Sequence, residues 1–420
     1  MRVVVALEDR FLQVGNRFYS HNFGYESYWK AYNGIFDSVV AVARVIPSQA
    51  APEGWSIVNR KNVEVAPLAQ YHGLYQYLRQ MLNIKKSIRG TLRPGDAVIL
   101  RLGGMIGTQV WKQLKPRYPY GLEVIGDPGE MFAPGKFKSP ARHFFRWFFT
   151  RNLKTQCRRA TAVSYVTEHT LQKRYPPNKD AYTTHYSSVD LDARDIIQDP
   201  SERMARISSL KNRLAGDGPP ILLGFIGSFS QPHKLPDIHL KALAKCVDKG
   251  SNVTLEMIGE GKFLKDMRAL ARKLGLDARV KFRGLLPGGR PILDALDTFD
   301  LLLNATASEG LPRVVIEAMA RGCPCIASDV GGTAELLEKS YLVPSGDPDM
   351  LCEKILSILR NSESMTKAAR RNIRVARNYC KDILVPRRQA FYATLRERTE
   401  KYLSEEYKSG YVYAWPSRRK

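Results

Sequence analysis

Residues 300–329 read DLLLNATASEGLPRVVIEAMARGCPCIASD, and the pattern changes character three times. The opening run, LLLNA, is short and apolar, as a strand covered on both faces must be. A turn of small residues leads to Pro312, whose fixed φ and missing amide hydrogen suit the first position of a helix. Helical spacing of apolar residues then takes over, and CIAS returns to a buried strand. Strand, turn, helix and strand form a βαβ unit, and such units build parallel sheets with helices on both faces.

The same alternation extends upstream through PPILLGFIGS, NVTLEMIG and RVKFRG, so an α/β domain begins near Pro219. It also fills the first half, where VVVAL, VVAVARV, DAVILRL, LEVIGD and ATAVSYV are separated by helical segments near 71–82, 105–114 and 140–158. Between the two halves, residues 191–218 are polar and end in Gly216, Asp217, Gly218, Pro219 and Pro220, which is linker chemistry. The expected organisation is a domain over 1–190, a linker over 191–218, a second domain over 219–384, and a helix with a tail over 385–420 that packs back on the first domain. Two doubly wound, Rossmann-like α/β domains leave a cleft at the carboxyl ends of their strands, where ligands bind in this architecture.

A chain of 420 residues with 44% hydrophobic and 25% charged residues is globular and large enough for two cores. Its net charge of +24 would attract nucleic acid, anionic membrane or a polyanionic substrate, and composition does not choose among them. Six dispersed cysteines show no metal-ligand spacing and read as reduced structural thiols; Cys323 and Cys325 fit strand packing. The N-terminus meets acidic residues too early for a signal-peptide core, and no apolar run is long enough to cross a bilayer. The expected place is therefore the cytoplasm, including the inner face of the membrane.

Around Gly310, Leu311 and Arg313 the turn offers backbone amides to an anion such as a diphosphate. Glu309 and Glu317 frame them; carboxylates offer only acceptors, which suits sugar and ribose hydroxyls. Two glutamates at this spacing would otherwise be ordinary acids near a helix start.

The surrounding text closely resembles the E-x7-E signature of retaining family 4 glycosyltransferases, approximately EG-LP-hh-EAMA-G-PVIA-D-GG. Here it is supplied by Glu309, Gly310, Pro312, Glu317, Ala318, Met319, Ala320, Gly322, Pro324, Asp329, Gly331 and Gly332. The resemblance implies the GT-B fold, a nucleotide-diphosphate sugar as donor, and retention of anomeric configuration by front-face attack. It implies no cofactor and no divalent metal. Gly227 and Ser228 match the family's glycine-rich turn, with Ser228 where an arginine is frequent, and Lys234 matches its phosphate-binding lysine. Gly259 and Glu260, with Gly284 and Leu285, match turns that enclose the nucleotide, the last two at the base; read from the residues alone they are strand-end turns.

The first-domain match is looser. Asp127, the last residue of LEVIGD, takes the place of a catalytic or acceptor-orienting residue that is commonly histidine, and is equally a turn-initiating Asp-Pro-Gly. The implied catalytic set is Asp127, Glu309 and Lys234. The turn after the first strand lacks the family's Gly-Gly pair, leaving Gly24, Tyr25 and Glu26, with His21 nearby, as the acceptor-side equivalents. Ser187, Ser188, Val189 and Asp190 replace an Asn-Gly-Val-Asp.

Residues 136–159, KFKSPARHFFRWFFTRNLKTQCRR, interleave aromatic and basic residues. The aromatic residues either pack partly into the core or meet an anionic membrane surface. A glycan or lipid-linked acceptor would make such a surface useful. A nucleic-acid-binding protein would have no use for the donor pattern, so no nucleic-acid partner is expected. A GT-B epimerase or phosphorylase keeps the fold with other chemistry.

Overall fold

A computed structural model describes residues 1–52, 54–71, 73–101, 104–133 and 141–408, leaving aside the side chain of Leu74. Residues 136–140 of the basic aromatic stretch and the aromatic residues of the tail lie outside these.

The first sheet contains β1 (Arg2–Val14), β2 (Arg17–Ser20), β3 (Ser38–Pro47), β4 (Ser56–Ile57), β5 (Val63–Leu68), β6 (Ala97–Arg101), β7 (Gly121–Val124), β8 (Ala162–Tyr165) and β9 (Tyr182–His185). Its parallel body runs β5-β3-β1-β6-β7-β8-β9. The second contains β10 (Ile221–Ile226), β11 (Val253–Ile258), β12 (Val280–Gly284), β13 (Leu301–Asn304), β14 (Cys325–Ser328) and β15 (Leu342–Val343), in the order β12-β11-β10-β13-β14-β15. In each sheet the order reverses beside the first strand, and the loops leaving the carboxyl ends there form a crevice.

Alternation decides the layers. Along β1, Val4 and Ala6 join one core layer with the helices Gly73–Thr91, Met105–Trp111 and Arg142–Arg159. Val3, Val5 and Leu7 join the opposite layer, which includes Phe391, Tyr392 and Leu395 of the helix Lys381–Lys408. That helix, Lys381–Lys408, crosses back onto the first domain and starts at Lys381 rather than near Val385. Tyr392 stacks on Tyr32 with ring centroids 4.4 Å apart.

Three expectations change. The first strand does not end before the acidic residues: a register shift between Ala6 and Arg10 carries β1 on to Val14, where it turns into the β1–β2 hairpin. The segment 191–218 is not simply a linker, because Ser201–Ala215 is a helix. Met204, Ile207, Leu210 and Leu214 form its buried stripe, and the buried Arg203 guanidinium donates to the carbonyls of Leu296 and Phe299 in the second domain. Finally, the helix after Pro312 begins at Arg313, with Pro312 as its extended cap residue.

Candidate functional site

The loops at the carboxyl ends of β10, β11 and β12 are stitched into one floor by backbone hydrogen bonds. Gly227 donates its amide to Ile258, Phe229 to Glu260, and Gly259 to Gly284, at 3.0, 2.9 and 2.8 Å. Gly259 has φ +141, and a Cβ there would lie 2.0 Å from the carbonyl oxygen of Gly227, so only glycine allows this approach. Ser228 turns its hydroxyl to the amide of Ser230. Glu260 and Leu285 stand exposed on this floor.

Lys234 ends the short turn Pro232–Lys234, and the following helix, Pro236–Asp248, begins after Leu235 in a left-handed conformation. Its Nζ lies 2.6 Å from Oε1 of Glu309, so the structure brings together two residues of the implied catalytic set. The Ala307 amide donates to the carbonyl of His233 at 2.7 Å, tying the two loops at the backbone as well.

His239 supports this union and was not singled out by the sequence. Its ring is fully buried, with Nδ1 3.0 Å from the Leu235 carbonyl and Nε2 accepting from the Ala305 amide at 3.2 Å. Burial pushes its pKa down to about 4, and a neutral ring protonated on Nδ1 satisfies both contacts. A polar residue on the apolar face of a helix was the available signal.

Gly310 and the Gly331–Gly332 pair stack backbone on backbone. The Gly332 amide donates to the Gly310 carbonyl at 2.7 Å, and a Cβ on Gly331 would lie 2.0 Å from the Glu309 carbonyl oxygen. Among the described residues, no backbone carbonyl accepts from the amides of Gly310, Leu311 or Arg313, which lie at the start of the helix Arg313–Ala320. Glu317, one face along, is partly covered; burial raises its pKa, with Asp190 adding to the effect and Arg313 opposing it. Together these groups form a cationic amine, open amides and two carboxylates around one turn.

The sequence profile of the family described as glycosyl transferases group 1 matches residues 220–361, the part of the chain that builds this turn. CapJ of Staphylococcus aureus is 23% identical over 388 residues, covering 86% of this chain and 90% of that protein. N-acetyl-alpha-D-glucosaminyl L-malate synthase of Bacillus anthracis is 27% identical over 222 residues, 51% of this chain and 54% of its own. Among solved structures, Anabaena HepE in complex with UDP-glucose superposes with a TM-score of 0.56 at 17% identity, covering 96% of this chain and 100% of that one. WaaG, a glycosyltransferase involved in lipopolysaccharide biosynthesis, gives 0.57 at 17%, covering 96% and 99%. Residues 220–361 thus match the group 1 glycosyltransferase family, and the chain has the GT-B fold.

The first domain closes directly on this turn. A Cβ on Gly310 would lie 2.1 Å from the carbonyl oxygen of Ile125, just beyond β7. Glu130 accepts the Gly331 amide at 2.9 Å, and Glu335 reciprocates by accepting the amides of Glu168, His169 and Thr170 at 2.7, 3.1 and 2.6 Å. Neither glutamate had been singled out, since nothing local in the sequence names a partner so far away.

Asp127 is not delivered to the cleft. Its carboxylate is buried, caps the turn Pro128–Met131 by accepting the Gly129 amide at 2.7 Å, and is engaged by the Tyr175 hydroxyl and the Arg174 guanidinium. The acceptor-side trio also falls elsewhere, because the lengthened β1 moves it beyond the β1–β2 hairpin. Gly24 packs against Ser56, Tyr25 is buried with its hydroxyl accepting from Asn33, and Glu26 pairs with Lys30 and Arg60 at the surface. The neighbouring Trp29 and Tyr32 are core residues rather than stacking platforms.

Proposed function

We propose that this protein is a glycosyltransferase that moves a sugar from a nucleotide-diphosphate sugar to a hydroxyl of a glycan or lipid-linked acceptor, with retention of anomeric configuration, in polysaccharide or glycolipid biosynthesis. The observation that carries the reading is the Lys234–Glu309 pair set against the open amides of Gly310, Leu311 and Arg313. The diphosphate takes the amides and the Lys234 ammonium, whose charge is compensated by Glu309 until the donor arrives. Glu309 and Glu317 then accept hydrogen bonds from hydroxyls of the sugar and ribose, while backbone at Gly284 and Leu285 meets the base. The HepE complex with UDP-glucose supports a donor of this class.

In the transfer, the bond from the anomeric carbon to the diphosphate oxygen breaks and the acceptor oxygen bonds to that carbon on the same face. The acceptor proton passes to the departing diphosphate. Lys234 and the amides stabilise the charge that develops there, so the step needs neither a protein nucleophile nor a divalent ion. Asp127, committed to its cap, is left out of this scheme.

The reaction is placed in the cytoplasm at the inner face of the membrane. Phe144 and Trp147 are exposed on Arg142–Arg159, while Phe149, half-buried, stacks on Phe132 at 5.5 Å. No helix among the described residues is long and apolar enough to cross a membrane.

The test incubates the enzyme with UDP-, GDP- and ADP-sugars, with and without acceptor and in EDTA, and reads the product by NMR. Retained configuration in EDTA is expected. An inverted product, activity restored only by magnesium or manganese, or epimerised donor without acceptor overturns the corresponding part.

A further inference from the structure

The helix Gly73–Thr91 carries two apolar stripes where a surface helix needs one. Tyr77, Ile84 and Ile88 are buried in the core, with Met81 packed against them. Tyr75, Leu78 and Leu82 follow one another at spacings of three and four and are 73%, 53% and 74% exposed. At 3.6 residues per turn this second stripe lies about a third of a turn from the first. Arg79, Lys85, Lys86 and Arg89 stand three, four or seven residues from its members and therefore share its side, whereas Gln76, Gln80 and Asn83 take the other flank.

The helix Arg142–Arg159 has the same character. Phe144 and Trp147 are 54% and 58% exposed, and the Arg151 guanidinium lies 5.7 Å from the Trp147 ring. Neither helix contains an aspartate or glutamate. Both cover the same face of the first sheet and flank Met105–Trp111, where Gln109 donates to the Tyr77 hydroxyl at 2.5 Å and Gln156 donates to Thr108 at 3.3 Å.

Exposed leucine, tyrosine, phenylalanine and tryptophan ringed by Lys and Arg that pair with no acid among the described residues match the headgroup boundary of an anionic bilayer. A second copy of the same face would bring like charges together, and nucleic acid would leave the two leucines without a stacking role. We propose that Gly73–Thr91 and Arg142–Arg159 form a single face that lies on an anionic bilayer. The choice of a bilayer rests on the membrane reading of Arg142–Arg159 above; the second helix, and the joint face, are added here.

The test measures sedimentation of the full chain with phosphatidylglycerol-containing vesicles and with phosphatidylcholine vesicles. It compares wild type with the variant Tyr75→Ser, Leu78→Ser, Leu82→Ser and with Phe144→Ser, Trp147→Ser. Each variant should lower partition to anionic vesicles about tenfold, and the combination should abolish it, since apolar burial and lipid charge act together. Unchanged melting temperatures show that loss of binding is not unfolding. If the 75/78/82 variant sediments like wild type while the 144/147 variant does not, the joint face is wrong and the reading of Arg142–Arg159 stands. Failure of wild type to sediment overturns both. Tighter binding to single-stranded DNA than to vesicles at equal salt, or a wild-type dimer lost in the 75/78/82 variant, assigns the face to another occupant and overturns the proposal.

Discussion

Lys234 Nζ lies 2.6 Å from Glu309 Oε1, an ion pair that joins the loop after β10 to the loop after β13 with both side chains largely covered. Removing either partner leaves the other uncompensated in a poorly solvated turn. Lys234→Ala should be the more harmful change for transfer, because it removes a positive charge from the diphosphate and leaves Glu309 facing it. We expect kcat/KM to fall on the order of a hundredfold or more, as for loss of one preorganised donor to developing charge. Glu309→Gln should also lower it, and the double variant should fall short of the sum of the two effects. Folded single variants with wild-type kcat/KM at subsaturating donor would remove both residues from the site.

Glu317 gives a pH dependence. Burial, with help from Asp190, raises its carboxyl above the ordinary 4.5 against the opposing charge of Arg313. The sign follows directly: an acid whose folded pKa is raised costs stability when ionised, and that cost disappears as pH falls through the raised value. Donor hydroxyls need the ionised form, so donor affinity should weaken over the same window, beginning above 4.5. Glu317→Gln should melt no lower than wild type at neutral pH, yet bind donor about tenfold or more weakly, the scale of a lost hydrogen bond to a charged group. Calorimetric titration of donor against pH reads this; an unchanged pH profile in the variant removes Glu317 from the donor contacts.

Much of the candidate site was legible because its backbone demands specific residues. Gly310 and Gly331 appear as glycine because neighbouring carbonyls lie where a Cβ would go. The strand–turn–helix–strand pattern was equally plain, since buried parallel strands admit few polar residues. The continuation of β1 was hidden, because Glu8, Asp9 and Arg10 look like the end of a strand and are in fact carried across an irregularity in the ladder. The helix Ser201–Ala215 was masked by a polar composition whose four buried apolar residues are thinly spread. The direction of the Asp127 side chain depends on Tyr175 and Arg174, far along the chain, and an Asp-Pro-Gly turn reads the same whichever way its carboxylate points.

Asp127 should therefore act on stability. Asp127→Asn keeps an oxygen for the Gly129 amide but removes the charge facing Arg174, which is itself 43% exposed and can turn to solvent. We expect a loss of about 1–2 kcal/mol, since the cap survives and the partly solvated arginine limits the penalty. Thermal melting would show a lower midpoint, while kcat per folded enzyme stays near wild type. Lost transfer with an unchanged melting curve would return the carboxylate to the chemistry.

The two domains hold one another through carboxylate-to-amide clasps. Burial alone would raise the Glu335 carboxyl, but the Thr170 hydroxyl and the amides of Thr170, Glu168 and His169 outweigh it and hold its pKa below the ordinary 4.5. A depressed acid contributes stability that is present above 4.5 and lost as pH falls through the depressed value. Glu335→Gln keeps one acceptor oxygen but forfeits the charge, and each hydrogen bond to a charged group contributes about 1.5–3 kcal/mol. The variant should open the cleft, enlarging the radius of gyration in solution scattering and raising donor KM at neutral pH. Wild type should approach the same dimensions only when acidified below 4.5. The Gly331 amide held by Glu130 limits the opening, so combining Glu335→Gln with Glu130→Gln should open the cleft further than either change alone. Identical scattering curves and identical donor KM for wild type and the double variant would show that the clasps do not control closure.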